Sequence, residues 1–180
     1  GNVALLVEHP AVITLGVRQK ENRLLTDETE LSRRGIEVVS IRRGGAATAH
    51  NPGQIVCYPI IKLKSIGLGV TDYVHRLEDA GIVLLRHFGL ESGTRKGFPG
   101  IWVVDRKIAS IGVQVQKWVT LHGIAINICN DLSIFEVIVP CGLDGVRMTS
   151  LEKETGHRED MRKAKAELGQ ICIDFFGNKS

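Results

Sequence analysis

The amino-acid sequence predicts an α+β fold, in which a mixed, largely antiparallel sheet is flanked by helices. Closely spaced β-type segments occupy residues 101–128, and turns rather than helices join them. Apolar residues recur at helical spacing in two stretches, near 70–88 and 161–175. Because strands and helices do not alternate regularly, a sheet with helices on its flanks is expected instead of a parallel, doubly wound sheet.

The N-terminal part is expected to contain two strands followed by a loop. Val3 to Val7 and Val12 to Gly16 are short runs rich in β-branched residues, and a bend at Glu8-His9-Pro10 separates them. Residues 18–34 are polar, carry charges of both signs and show no helical apolar stripe. They are therefore predicted to form a long surface loop, which is either a mobile lid or a solvated connection.

A glycine-rich stretch, residues 42–54, joins two further predicted strands at Ile36 to Ile41 and Gln54 to Ile60. It contains two arginines, a glycine pair, a hydroxyl group, a histidine and a Pro-Gly turn. Gly44 and Gly45 lack a Cβ, so that their N–H groups could meet a ligand at close range. The stretch is interpreted as a ligand-binding loop, and the alternative is a glycine-rich hairpin connection.

The remaining elements follow from periodicity and capping signals. Apolar residues at helical spacing predict an amphipathic helix over Thr71 to Phe88, with Thr71 or Asp72 as its N-cap. Four β-type segments within 101–128 predict an antiparallel meander. Thr149-Ser150-Leu151-Glu152 matches a capping box, and the apolar stripe from Met161 to Phe175 predicts a C-terminal helix.

Length and composition limit the possible classes of protein. With 180 residues, 43% of them apolar and 24% charged, the chain has an ordinary globular composition and the length of one domain, 1–180. Neither a membrane-spanning run nor a signal-type segment is present in the sequence, so a cytoplasmic protein is expected, or an organellar one without its targeting segment. The net charge of +3 is too mild to indicate a nucleic-acid partner but suits an acidic protein partner.

Cys141 is the best nucleophile candidate among the four cysteines. It stands between Pro140 and Gly142, in a turn whose backbone N–H groups could point at an attacked carbonyl. A thiol reacts as its thiolate, and an ordinary thiol pKa of about 8.5 means that a cation or a base must help it to ionise. The other three cysteines occur in apolar stretches as small hydrophobes, without the C-x-x-C spacing of a zinc site or redox dithiol; they are Cys57, Cys129 and Cys172.

Lys107 is the candidate for the group that helps Cys141. It interrupts an otherwise apolar strand, where a partly desolvated amine could stabilise a thiolate and later exchange a proton. The alternative is an ordinary surface lysine. His50 and His122 are weaker candidates, because a histidine beside apolar residues is more often a hydrogen-bonded structural residue. No residues show the spacing of metal ligands.

Several short motifs follow one another in a fixed order between Glu8 and Leu151. They are Arg43-Gly44-Gly45 with Thr48 and His50, Pro52-Gly53-Gln54, Tyr58-Pro59-Ile60, Gly100-Ile101-Trp102-Val103, Lys107-Ile108-Ala109 with Ile111-Gly112, His122-Gly123-Ile124-Ala125-Ile126-Asn127, Asp131-Leu132 with Phe135, and Ile138-Val139-Pro140-Cys141-Gly142. No single motif is specific, but the ordered set resembles the octanoyltransferase family, the lipoyl(octanoyl) transferases.

The resemblance implies a catalytic domain similar to that of biotin and lipoate protein ligases. It implies an acyltransferase that takes an octanoyl or lipoyl group from acyl carrier protein and transfers it to a specific lysine of lipoyl domains, in the first step of endogenous protein lipoylation. The implied acceptors are the E2 subunits of 2-oxoacid dehydrogenases and the glycine cleavage H protein. The resemblance implies no cofactor, metal, nucleic acid or membrane.

The resemblance also implies roles for particular residues. Cys141 would form an acyl thioester, and Lys107 would stabilise its thiolate. The acyl and phosphopantetheine pocket would be lined by Arg43, Gly44, Gly45, Ala46, Ala47, Thr48, Ala49, His50, Ser110, Ile111, Gly112, Gly123, Ile124 and Ala125. The chain is expected to lack an N-terminal segment that family members carry ahead of the strand near Val3.

Other functions remain open at this point. An ATP-dependent lipoate or biotin ligase of similar fold would need the lysine without the cysteine, so Cys141 argues against it. A domain-to-domain lipoyl amidotransferase could use the same cysteine. A non-catalytic protein that only binds acyl carrier protein or a lipoyl domain would not need to retain both Cys141 and Lys107.

Overall fold

The computed structural model describes residues 2–177, which form two sheets and four α-helices. The strands are β1 Val3–Val7, β2 Val12–Leu15, β3 Glu37–Ser40, β4 Thr48–His50, β5 Gln54–Ile60, β6 Gly93–Arg95, β7 Phe98–Val103, β8 Arg106–Gln116, β9 Val119–Asn127 and β10 Arg147–Met148. The helices are α1 Glu28–Arg33, α2 Val70–His87, α3 Leu151–Thr155 and α4 Met161–Phe176.

The larger sheet has seven strands in the order β1-β5-β9-β8-β7-β6, with β10 beside β8. The predicted meander is confirmed, since β7, β8 and β9 pair in succession and antiparallel. The segments predicted near 118–121 and 123–128 are a single strand, because β8 and β9 pair without a break from Gln116 opposite Val119 to Ala109 opposite Ile126. The short strand β6 was not predicted.

The smaller sheet has three strands in the order β3-β2-β4. The two N-terminal strands are confirmed, but they lie in different sheets: β1 pairs antiparallel with β5, whereas β2 lies parallel to β3 and antiparallel to β4. The bend at Glu8-His9-Pro10 therefore carries the chain from one sheet to the other. Antiparallel pairs dominate the larger sheet, whereas the smaller sheet has one pair of each kind, so the mixed, largely antiparallel arrangement is confirmed.

Helices α2 and α4 pack together and cover one face of the larger sheet. The core between these helices and the sheet contains Leu77 and Leu84 of α2, Leu168 of α4, and inward-facing strand residues such as Ile55 and Ile126. Burial of this apolar surface stabilises the layer that supports the strands. None of the helices within residues 2–177 is long and apolar enough to cross a membrane.

The helix ends differ in detail from the predicted ones. Gly69, not Thr71 or Asp72, is the N-cap of α2, and the Asp72 carboxylate accepts a hydrogen bond from the Gly69 N–H at 3.3 Å. The C-terminal helix predicted from the apolar stripe is confirmed as α4, but the capping-box residues begin a separate helix, α3, which Gly156 ends in a left-handed conformation.

The prediction of a long surface loop at 18–34 was wrong for residues 28–33, which are helical; a 3₁₀ turn at 19–21 and mostly irregular chain precede them. Residues 28–33 form α1, capped by Asp27, whose side chain accepts from the Glu30 N–H at 2.8 Å. A helix of six residues is too short to show a repeated apolar stripe, which explains the error. Its single fully buried side chain, Leu31, packs in a second apolar cluster beneath the smaller sheet.

Candidate active site

A cavity of about 580 Å³ lies between the two sheets. Strands β2, β3 and β4 supply one wall, strands β5, β8 and β9 supply the other, and the turn at Cys141 closes part of it. This volume is within the usual range of small-molecule sites, about 300–1,000 Å³. No group of three or more His, Cys, Asp or Glu side chains within the described residues is arranged to hold a metal ion.

Lys107 and Cys141 meet in the wall of this cavity. The Lys107 Nζ atom lies 3.4 Å from Cys141 Sγ and donates a hydrogen bond to the Pro99 carbonyl at 2.8 Å. The lysine is only 1% exposed, so it is not an ordinary surface lysine. The face of Trp102 lies 5.3 Å from the same nitrogen and favours its positive charge. A thiolate at Cys141 would complete the neutralisation of a buried ammonium group.

Cys141 is held by a short 3₁₀ turn, Pro140–Gly142, in a conformation unusual for its residue type. Its φ of 57° and ψ of 16° lie in the left-handed region, where a residue with a Cβ is under strain. The Cys141 N–H donates to the Ala47 carbonyl at 2.8 Å, which ties the turn to the glycine-rich stretch before β4. The surrounding structure thus fixes the direction of the thiol.

Three backbone N–H groups that were expected to face a ligand already donate hydrogen bonds within the protein. The Cys141 N–H is bonded to Ala47, and the Gly142 N–H donates to the Val139 carbonyl at 3.2 Å. The expectation that the Pro-Cys-Gly turn aims its own N–H groups at an attacked carbonyl is therefore corrected. The Gly44 N–H likewise donates to the Val113 carbonyl at 2.9 Å.

Arg43 supplies a second buried positive charge to the cavity. It is 6% exposed, and its guanidinium donates to Thr14 Oγ1, to the Thr14 carbonyl at 2.6 Å, and to the Gly44 and Ala46 carbonyls at 3.1 and 2.7 Å. All of these acceptors are neutral oxygens. Burial lowers the pKa of Arg43, and the nearby Cys141 and Tyr58 act in the opposite direction. The cavity therefore has a fixed cation that would favour negative charge on a thiolate or an oxyanion.

Gly112 allows Arg43 to lie against strand β8. A Cβ at this position would come within 2.8 Å of Arg43 Cδ and within 2.9 Å of the Gly44 carbonyl oxygen. Any larger residue would push the arginine and the glycine-rich stretch away from the strand.

Most of the residues predicted to line the site do line the cavity. They are Arg43, Gly44, Gly45, Ala46, Thr48, His50, Ser110, Ile111, Gly112, Gly123, Ile124 and Ala125, together with Lys107 and Cys141. Ala47 and Ala49 do not: their side chains pack with Ile13 and Leu31 in the second apolar cluster. Successive residues along β4 face opposite sides, so Thr48 and His50 face the cavity and their alanine neighbours face away.

Other residues of the lining carried no signal in the sequence. His9, Val12 and Thr14 come from the bend and strand β2, and Val39 and Ile41 come from the region of β3. Nothing in the sequence indicated that these strands lie beside the glycine-rich stretch, because the pairing of β2 with β4 and of β3 with β2 joins segments that are distant in the chain. Strand alternation could have shown only that one face of each is apolar.

Three histidines and Tyr58 form a cluster on the cavity wall. His9 Nε2 lies 2.7 Å from the Tyr58 hydroxyl, the His9 and His50 rings are 5.5 Å apart, and Tyr58 meets His122 edge-on at 6.3 Å. Burial lowers the pKa of all three histidines, and that of His50 falls to about 4. His50 also donates from Nδ1 to Gln54 Oε1 at 2.7 Å. At neutral pH these rings shape the wall as neutral groups.

His50 should make the fold less stable in mild acid. Its pKa of about 4 lies below its ordinary value of 6.5, so between these pH values the unfolded chain binds more protons than the folded one. The contribution of His50 to the free energy of unfolding is fully present above pH 6.5 and is lost as the pH falls. Between pH 7.5 and pH 5 this loss is about 2 kcal/mol.

Urea unfolding of the wild type and of His50→Gln at these two pH values measures this contribution. We expect the pH-dependent loss of stability to be smaller in the variant by about that amount. Substitution of His157, an exposed histidine, is the control and should leave the pH dependence unchanged. An identical loss in His50→Gln and the wild type would contradict the assignment of a neutral buried ring.

The amino-acid sequence is similar to a known family of catalytic domains and to bacterial octanoyltransferases. The family model of the lipoyl protein ligase A/B catalytic domain matches residues 1–172. The octanoyltransferase of Desulfovibrio desulfuricans is 42% identical over 165 residues, which cover 91% of this chain and 70% of the relative. The octanoyltransferase of Bacteroides fragilis is also 42% identical, over 177 residues that cover 96% of this chain and 80% of the relative.

Solved structures share the fold at low sequence identity. A lipoate-protein ligase A bound with ATP superimposes with a TM-score of 0.78 at 16% identity, covering 97% of this chain and 72% of the other. The biotin protein ligase of Aquifex aeolicus gives a TM-score of 0.56 at 14% identity, covering 92% of this chain and 68% of the other. The expected likeness to biotin and lipoate ligase domains is therefore confirmed for the fold.

Proposed function

Since this chain belongs to the lipoyl protein ligase A/B catalytic domain family and is an octanoyltransferase of protein lipoylation, we propose that it holds the octanoyl group as a thioester on Cys141. The observation that carries this proposal is the contact of 3.4 Å between Lys107 Nζ and Cys141 Sγ in the wall of the cavity. A nucleophile beside a proton-exchanging group is the arrangement that covalent acyl transfer needs.

In the first half-reaction, the Cys141 thiolate attacks the carbonyl carbon of an octanoyl thioester donor. An S–C bond forms, the oxygen becomes an oxyanion, and collapse of this intermediate breaks the bond to the donor sulfur. The donor sulfur leaves as a thiolate, a step that needs only a nearby positive charge, and it then takes a proton from the Lys107 ammonium group, which becomes a neutral amine. The Arg43 guanidinium, a second cation in the cavity lining, would stabilise the oxyanion.

In the second half-reaction, the neutral amine of an acceptor lysine attacks the thioester carbon. The nitrogen gives a proton to the neutral Lys107, the C–S bond breaks, and Cys141 leaves as a thiolate beside the regenerated ammonium group. An amide is more stable than a thioester, so this step is downhill. Exchange of one thioester for another is close to isoenergetic, and neither half-reaction requires ATP.

The apolar parts of the cavity are suited to the hydrocarbon chain. Val12 and Val39 of the smaller sheet, and Ile41 just after β3, line the cavity together with Val56 and Val113 of the larger sheet. Covering an eight-carbon chain with these side chains would supply about 0.8 kcal/mol for each buried methylene group.

We propose octanoyl-acyl carrier protein as the donor, and as acceptors the lipoyl domains of 2-oxoacid dehydrogenase E2 subunits and the glycine cleavage H protein. A thioester-linked donor supplies a leaving group that a thiolate can displace without prior activation. The lysine of a lipoyl domain supplies the amine that the second half-reaction consumes.

The test is to incubate the protein with octanoyl-acyl carrier protein in the absence of ATP and magnesium. Mass spectrometry should find an octanoyl adduct on Cys141 that hydroxylamine removes, and addition of a lipoyl domain should transfer the group to its lysine. Cys141→Ala should form no adduct.

An adduct on Cys57, Cys129 or Cys172, or no adduct in a folded sample, would refute the thioester intermediate. An absolute need for ATP would indicate a ligase. An octanoylated lipoyl domain that proves the better donor would indicate an amidotransferase.

A further inference from the structure

Helix α2 carries a buried carboxylate behind the wall that holds Lys107. Glu78 is 5% exposed and lies on the face of α2 that packs against the larger sheet. Its Oε1 atom accepts a hydrogen bond from the Gly100 N–H at 3.0 Å, and its Oε2 atom accepts from Nδ1 of the exposed His75 at 3.1 Å. Burying a carboxylate without hydrogen-bond partners would cost free energy, and these two bonds offset that cost. Glu78 takes no part in either half-reaction.

The peptide unit that Glu78 binds is also the one that binds Lys107. The N–H of this unit belongs to Gly100 and points to Glu78, while its carbonyl belongs to Pro99 and accepts from Lys107 Nζ at 2.8 Å. Lys107 Nζ in turn lies 3.4 Å from Cys141 Sγ. One peptide plane therefore connects the carboxylate to the catalytic pair through consecutive hydrogen bonds.

Close packing makes this connection possible. Gly81 lies one turn after Glu78, and a Cβ there would come within 2.3 Å of Ile101 Cδ1. The glycine thus lets α2 approach β7 closely enough for Glu78 to reach the backbone of Gly100. Gly100 in turn leaves space for the lysine chain, because a Cβ on it would lie 2.7 Å from Lys107 Cε.

We propose that Glu78 is a positioning residue for Lys107, acting through the Pro99–Gly100 peptide. Its negative charge fixes the orientation of this peptide and polarises it, which makes the Pro99 carbonyl a stronger hydrogen-bond acceptor. A polarised carbonyl stabilises a charged ammonium donor more than it stabilises a neutral amine. Glu78 thereby favours the charged form of Lys107 and, through it, the thiolate of Cys141. This inference rests on the proposed function of the Lys107 and Cys141 pair.

Glu78→Gln is the decisive variant, because it retains an acceptor oxygen for the Gly100 N–H but removes the charge. Iodoacetamide alkylation of Cys141, followed against pH by peptide mass spectrometry, reads the pair without any acyl donor. We expect the alkylation profile of Glu78→Gln to move to higher pH, and its kcat for octanoyl transfer to fall about 10-fold with KM unchanged. Glu78→Ala should show a larger change in both if it folds.

Glu8→Gln is the matched control. The Glu8 carboxylate also accepts a glycine N–H, that of Gly53 at 2.8 Å, and it bonds to Lys165 instead of contacting the peptide at Lys107. Its loss should lower the unfolding temperature without moving the alkylation profile. A folded Glu78→Gln protein with the wild-type profile and kcat would overturn the positioning role. If the profile moves but the wild type forms no octanoyl adduct on Cys141, the proposed function fails and the positioning role stands.

Discussion

Replacement of Lys107 by arginine should leave formation of the acyl-enzyme largely intact while slowing octanoyl transfer to the lipoyl domain by at least about 100-fold. Arginine remains cationic at every accessible pH, so it can still favour the Cys141 thiolate across the 3.4 Å contact. It cannot become a neutral base that accepts the proton of the attacking amine. The two half-reactions should therefore respond differently to one substitution.

Single-turnover assays of acylation and transfer, run beside alkylation of Cys141 against pH, measure this separation. Lys107→Ala is the companion variant and should move the alkylation profile to higher pH, because it removes the charge as well as the base. Because Lys107 is 1% exposed and lies under Trp102, thermal unfolding of each variant must show that it is folded. Wild-type transfer by Lys107→Arg would rule out the proton-transfer role, and an unchanged profile in Lys107→Ala would rule out the pairing.

Much of this site was accessible from the sequence because its residues carry chemical signals. Cys141 in a Pro-Cys-Gly turn and Lys107 within an apolar strand are each unusual in their contexts. The order of the motifs then predicted that the two residues belong to one site. Strand periodicity likewise predicted the meander of β7, β8 and β9, because each of these strands pairs with its neighbour in the chain.

The parts that sequence reasoning missed depend on contacts between distant segments. Strand β4 is only three residues long, and it is a strand because it pairs with β2, more than thirty positions earlier. The bonds that occupy the N–H groups of Gly44 and Cys141 run to Val113 and Ala47, and no local pattern indicates such partners. Glu78 lies on an amphipathic helix, where a charged residue is ordinarily exposed, and the close approach of α2 to β7 buries it.

Gly100→Ala should reduce octanoyl transfer by about 100-fold even in the fraction of protein that folds, since a displacement of about 1 Å at a reacting group can have this effect. Gly100 has a φ of 125°, which residues with a side chain rarely adopt. A Cβ there would lie 2.4 Å from the Ala109 carbonyl oxygen, a backbone atom that cannot move without disturbing β8. It would also lie 2.7 Å from Lys107 Cε, so the lysine must shift away from Cys141.

The same substitution should lower the free energy of unfolding by about 3 kcal/mol, from backbone strain and overpacking together. Gly89→Ala is the control: Gly89 also has a positive φ, of 75°, but an added Cβ would meet no atom within 4 Å. Gly89→Ala should lower the free energy of unfolding by only about 1 kcal/mol and leave octanoyl transfer unchanged. Urea unfolding and single-turnover transfer compare the two variants. If Gly100→Ala and Gly89→Ala lost the same amount of stability and Gly100→Ala kept wild-type transfer, backbone strain alone would explain both variants. The position of Lys107 would then not depend on the space beside Gly100.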